Sequence, residues 1–306
     1  DSWHIAIVLD RLGSARQSLG RLAEGEALLA EALAMRRRIY KGDDRDLAMG
    51  LYNLAHARFQ LRRFAETEVL LNESLDMLMR LSKADHSEMA SLLRLLVNTR
   101  LELGRPAEAE APAVQCLEMY RRLRNGEDPD VMLGLFDLAR VRQALGRLTE
   151  AEALYEQAMA VNERHLPADH ADLLGCRDRL ALVYYSLGKI DKATALYEEL
   201  LKRLVPKLGR RHLETLMTIG NLGANYATAG RFVEALPLLE EAYREWKQHA
   251  QLGFVGPHLV TALSMVADPR NPDDTKRVVA VARELIAHAR DSGPSGTLEL
   301  AGVLAN

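Results

Sequence analysis

The stretch "ALGRLTEAEALYEQAM", residues 144–159, decides how the chain is read, because it is written more than once. It returns as "SLGRLAEGEALLAEAL" at 18–33 and as "SLGKIDKATALYEELL" at 186–201. Its glycine serves as a marker at Gly20, Gly104, Gly146, Gly188 and Gly230, with Arg62 in the remaining place, and every step is 42 residues. Eight residues before the marker stand Leu12, Leu54, Leu96, Leu138, Leu180 and Leu222. Five after it stand Gly25, Thr67, Ala109, Ala151, Ala193 and Ala235; twelve after it, Ala32, Ser74, Cys116, Ala158, Leu200 and Ala242. Three columns held in register six times specify tandem copies of one structural unit.

Each copy reads as two helices. The first runs for about fifteen residues up to the marker, where glycine suits a left-handed helix end. The second starts two or three residues later and repeats apolar side chains at helical spacing, as in Leu148, Ala151, Leu154, Tyr155, Ala158 and Met159. Between copies lie "KGDDRD", "KADHSE", "NGEDPD", "PADHAD" and "GRRHLE". In the first four, Asp43, Asp85, Glu127 and Asp169 each precede another acid by three residues, which predicts a capping box for the next helix. Asp1 occupies the same place, so the sequence opens at a unit boundary. The missing initiator methionine points to a longer parent chain. After residue 248 the period breaks, and 249–306 reads as a diverged seventh helix pair. A helix at 258–268, a second after Asp273–Asp274, a turn at "DSGPSG" and a short capping stub are expected there.

Composition narrows the function. Apolar residues make up 48% and aromatics only 5%, the balance of helices packed through Ala and Leu. A net charge of −3 gives no global attraction to nucleic acid or anionic lipid. No apolar run approaches the ~20 residues that span a bilayer, and "DSWHIAIVLD" is no signal peptide. Cys116 and Cys176 form no disulfide framework and fit a reducing compartment, so a cytoplasmic location is expected. The nine histidines lack metal-ligand spacing, and His165 and His170 at an inter-unit turn suit capping or surface roles. No glycine string reads as a phosphate loop. No cofactor, metal or catalytic activity is expected.

A helix pair with Leu at −8, Gly at the marker, Ala at +5 and a small residue at +12 resembles the tetratricopeptide repeat. The 42-residue period, "PADHADLL" and "GRLTEAEALYEQAM" are similar to the subtype found in kinesin light chains and many bacterial proteins. The resemblance covers residues 1–248 and implies an all-α, right-handed superhelix of helix-turn-helix units whose first helices line the concave side. The family's tyrosine at −4 is kept only at Tyr184 and Tyr226; Arg16, Arg58, Arg100 and Arg142 replace it in the other four units. Those units carry Glu26, Glu68, Glu110 and Glu152 at +6, which predicts an arginine–glutamate pair between the two helices of each unit.

The resemblance also implies a groove that holds extended peptides or a partner's helix. Carried onto this sequence, its lining positions give Met49, Tyr52, Asn53, His56, Phe59 and Gln60, then Ser91, Arg94, Asn98 and Leu101. They continue with Leu133, Phe136, Asp137, Arg140 and Gln143, then Asp178, Arg179 and Tyr185, and end at Asn221. Aromatics with arginines are typical of interaction hot spots and suit a partner carrying an aromatic or aliphatic anchor beside acidic residues. The chain is therefore expected to be a non-catalytic protein-interaction scaffold, the sensor or recruiter of a larger protein. One alternative is a regulatory module that packs on an attached kinase, ATPase or protease domain; a remote one is a hydrolase using groove residues such as His56 and Asp137.

Overall fold

A computed structural model describes residues 2–82, 86–123, 129–245, 253–268 and 270–291. Fourteen helices and no strand occur among them. The chain divides into two compact units, 1–166 and 167–306.

The first unit holds four helix pairs: α1 (Trp3–Ser18) with α2 (Leu22–Ile39), α3 (Arg45–Gln60) with α4 (Phe64–Leu81), α5 (Ser87–Glu102) with α6 (Pro106–Leu123), and α7 (Pro129–Ala144) with α8 (Leu148–His165). Each helix packs on the next, and the first helices also touch one another from α1 to α3, α5 and α7. They form one layer, the second helices the other. In the second unit α9 (Ala171–Ser186) pairs with α10 (Ile190–Leu208), and α11 (Leu213–Thr228) with α12 (Phe232–Glu245). A seventh pair follows, α13 (Val255–Val266) and α14 (Pro272–Asp291).

The marker column does what its composition requires. All five glycines have φ between +68° and +76°, and Arg62 adopts φ +59° in the same place. At every marker the following N–H reaches the carbonyl of the −4 residue, as Arg63 N donates to Arg58 O at 2.9 Å and Arg147 N to Arg142 O at 2.9 Å. This 6→1 bond ends the helix and turns the chain into its partner. The small columns sit where the paired helices cross. Ala109, Ala151, Ala193 and Ala235 are fully buried, and in the first repeat a Cβ on Gly25 would lie 2.7 Å from the Gly13 carbonyl oxygen. Ser74 Oγ donates to Ala48 O at 2.8 Å and Cys116 Sγ to Ala90 O at 3.4 Å, so the +12 polar atoms are satisfied by the facing helix.

At α3 and α9 the cap falls one residue after the expected acid. Asp44, not Asp43, accepts from Asp46 N (2.8 Å) and Leu47 N (3.1 Å), while Asp43 takes both nitrogens of Arg80. His170 and His212 cap α9 and α11 through Nδ1, each at 3.3 Å. A histidine nitrogen accepts as an N-cap oxygen does, which the acid pattern could not reveal. Asp85 and Glu127 lie outside the described residues. The seventh pair starts earlier than expected, at Val255 and Pro272. Asn271 Oδ1 accepts from Asp273 N at 3.1 Å, and the proline after it fits the first helical turn. This pair shares a core with α11 and α12 through Val255, Leu259, Leu263 and Leu285. The "DSGPSG" turn after Asp291 and the stub lie outside the described residues.

Candidate binding face of the first helices

The predicted lining residues of the first unit fall on α3, α5 and α7. Met49, Tyr52, Asn53, His56 and Phe59 are half-buried along α3, facing the side where the first helices meet. Tyr52 and His56, one turn apart, place their ring centroids 6.4 Å from each other. With Asn53 they line a concavity of about 140 Å³ that Ser14 and Gln17 of α1 complete. Ser14 and Gln17 stand at −6 and −3, the columns of His56 and Phe59, so the register that named those residues could have found them. Removal from water pushes the Tyr52 hydroxyl up and the His56 imidazole down, so His56 is neutral at pH 7.

A polar row continues across α5 and α7. Arg94 Nε donates to Asp137 Oδ2 at 3.0 Å, and Arg140 approaches Asp137 Oδ1 at 3.6 Å. Arg140 also donates to Asn98 Oδ1, joining the two helices a second time. Asp137 is only 2% exposed. Removal from water pushes its carboxyl up, against the pull of Arg94 and Arg140. The two guanidiniums keep about a third and a quarter of their side-chain surface. The expected open acid is thus a hidden counter-ion, and the face a ligand meets is cationic. For the hydrolase alternative, Asp137 is held by two arginines and is hardly open to a substrate. Phe136 packs edge-on against buried Tyr155 at 5.6 Å, and Phe59 against Phe64 at 5.4 Å, so both rings belong partly to their own repeat.

The remaining predicted residues lie in the second unit. Arg179 is exposed on α9, Tyr185 Oη lies 3.3 Å from Thr228 Oγ1 on α11, and the backbone oxygen of half-buried Asn221 accepts from Asn225. Among the described residues no cluster of three or more His, Cys, Asp or Glu is arranged to hold a metal, and no helix is long and apolar enough to cross a membrane. Cys116 is a buried thiol pushed up to about 12 by desolvation, with the Asp137 charge adding to it.

Three of the four expected glutamates, Glu26, Glu68 and Glu110, pair with arginines of the following repeat, not with the −4 arginine of their own. Glu26 of the first repeat meets Arg58 (3.1 Å) and Arg63 (3.2 Å) of the second. Glu68 meets Arg100 (2.8 Å) and Arg105 (2.6 Å), and Glu110 meets Arg142 (2.7 Å) and Arg147 (2.9 Å). Within a repeat the −4 arginine reaches the +4 glutamate instead: Arg16–Glu24 at 3.8 Å, Arg58–Glu66 at 3.3 Å, Arg142–Glu150 at 3.2 Å. The reason is geometric. From the C-terminal turn of a first helix, the +6 position that comes within reach is the one on the preceding repeat's second helix.

The tetratricopeptide repeat family model matches residues 4–78, 46–122, 88–164, 130–204 and 169–244, overlapping windows of which the first four start 42 residues apart. The chain is a tetratricopeptide repeat protein. Among curated proteins, none matches it. Among solved structures it is similar to a kinesin light chain with nearly identical repeats from Podosopora anserina, at 23% identity over 67% of this chain and 98% of that one, TM-score 0.58. It is similar to a signal transduction ATPase with numerous domains and a tetratricopeptide repeat sensor from Pyrococcus horikoshii, at 15% identity over 94% of this chain and 43% of that one, TM-score 0.71. A Rap protein complexed with Competence and Sporulation Factor is similar over 89% of this chain and 75% of that one, at 15% identity and TM-score 0.53. At these identities the likeness is one of fold.

Proposed function

We propose that this protein is an interaction scaffold that holds an extended peptide or a partner's helix against α3, α5 and α7. The observation that carries the reading is the adjacency of a Tyr52–Asn53–His56 concavity and a row whose two arginines share one hidden carboxylate. An aromatic or aliphatic anchor fits beside the neutral rings, and an acidic residue fits the surplus positive charge of Arg94 and Arg140. Asn53 offers an amide that can grip a peptide backbone. The face is preformed, so binding costs little ordering on the scaffold side. The Rap protein bound to its factor and the ATPase with a tetratricopeptide sensor support the class at the level of fold.

A second reading rests on the other unit. Met265, Val266, Val279 and Ile286 are exposed on the seventh pair, apolar side chains open to docking on an attached effector domain. The two readings part on selection from a displayed peptide library. The first predicts peptides with an acid near an apolar anchor, whose binding falls at least tenfold with Tyr52→Ala/His56→Ala and persists with Gln115→Ala/Glu118→Ala on α6. Peptides that ignore the α3 change and are lost with Met265→Asp/Ile286→Asp would overturn it in favour of the second.

A further inference from the structure

The columns that bury one repeat against its predecessor are uncovered in the first repeat. At −15, −12 and −8, α5 carries Met89, Leu92 and Leu96, none more than 6% exposed, in contact with α4. Leu47 and Leu54 on α3 and Val131 and Leu138 on α7 are likewise at most 7% exposed, lying against α2 and α6. In the second unit Thr215, Thr218 and Leu222 of α11 are as deeply buried, against α10. The corresponding side chains of α1 are Ile5 (51% exposed), Val8 (62%) and Leu12 (42%), and Leu19 at −1 adds 73%. They form one stripe along the helix, not scattered exposure.

A charged feature stands in the same register. In the second, third and fourth repeats the −4 and +1 arginines jointly grip the +6 glutamate of the repeat before. Arg16 and Arg21 are that pair in the first repeat, and both turn to Glu24 on their own surface, at 3.8 Å and 2.7 Å.

We propose that α1 receives one further helix pair of this same repeat type, from outside residues 1–306, stacked in the 42-residue register. Its second helix lays small and apolar side chains along Ile5, Val8, Leu12 and Leu19 and sets a glutamate between Arg16 and Arg21. The charge selects this occupant. A two-fold contact of α1 with the α1 of a second copy brings no glutamate, since that helix carries none, and a free peptide has no fixed helix to match a four-residue stripe and a clamp together.

The test extends the chain by a copy of residues 1–42 ahead of Asp1, which brings the added copy's Glu26 into register with Arg16 and Arg21. Amide exchange along α1 should slow by about tenfold or more, and Tm should rise by about 5 °C. Val8→Lys should shift Tm by less than about 1 °C in the present chain but lower it by several degrees in the extended one. Glu26→Gln in the added copy should remove about 1–2 °C of the gain. Unchanged α1 exchange, or an equal effect of Val8→Lys in both chains, would overturn the proposal. So would a concentration-dependent dimer of the present chain that Val8→Lys abolishes, since the occupant would then be a second copy.

Discussion

Where α3, α5 and α7 meet the helix pair before them, a glutamate is gripped by two arginines. Where α11 meets the pair before it, Tyr226 donates to Glu198 at 2.7 Å and Arg231 lies over the tyrosine ring at 4.1 Å. Beneath both arrangements the same columns are buried, with leucine kept at −8, and the same left-handed turn follows the −4 residue. The backbone plan is therefore carried by leucine and small-residue positions, while the polar seam can change chemistry provided its partners change together. The −4 residue and an acid one repeat earlier form that set: Arg58, Arg100 and Arg142 with the +6 acid, Tyr226 with the +10 acid.

The sharpest way to break this comparison is to attack the shared column. Leu96→Ala, at a site 3% exposed, should cost about 2–4 kcal/mol in chemical denaturation, whereas Leu12→Ala, at 42%, should cost less than about 1 kcal/mol. Equal losses would mean that the column does not hold the repeats together. Next comes the row between α5 and α7. Asp137→Ala leaves Arg94 and Arg140 without their counter-ion and should cost about 2 kcal/mol, below the value for a wholly buried pair because water reaches both guanidiniums.

The two seams should also fail at opposite ends of the pH scale. Burial raises the Glu68 carboxyl, but the hydrogen bonds from Arg100 and Arg105 outweigh it and hold it below the usual carboxylate range. Its contribution is therefore present above the unfolded value of about 4.3 and lost as pH falls through the folded one. Glu68→Gln should cost about 1 kcal/mol at pH 7 and flatten the acid limb of a stability profile below about pH 5. Burial, and then the bond to Glu198, push Tyr226 up to about 12. Its contribution is present below about pH 10 and lost as pH rises toward 12, so Tyr226→Phe should flatten the alkaline limb alone. Either substitution acting on the opposite limb would contradict the comparison. The smallest effect expected is a gain. Arg62→Gly relieves a left-handed arginine at φ +59° and should add about 0.5 kcal/mol, after the loss of exposed contacts to Glu102 and Phe64.

Much of the fold was legible because packing writes it in columns. The Gly20-to-Gly230 register located every turn, Arg62 included, and the small +5 and +12 positions located the helix crossings. The arginine–glutamate correspondence was legible as chemistry but not as address. Arg58 and Glu68 occur in the same repeat, yet Arg58 binds Glu26, 32 residues back, and a column cannot tell neighbouring copies apart. The face of α3, α5 and α7 was readable from register, whereas the burial of Asp137 was not. An acid between two exposed cations and an acid beneath them look the same in sequence. His170 escaped as a cap because Asp169 beside it filled the expected pattern, and His212 because "GRRHLE" has no acid in that place.

The central claim is that ligands meet the layer of first helices. It is tested most directly by hydrogen exchange of the intact protein with and without a library-selected peptide. The account predicts slowed exchange in α3, α5 and α7, centred on Tyr52 to His56 and Arg94 to Asn98, with α2, α4 and α6 unchanged. Protection confined to α2, α4 and α6, or to α13 and α14, would contradict it.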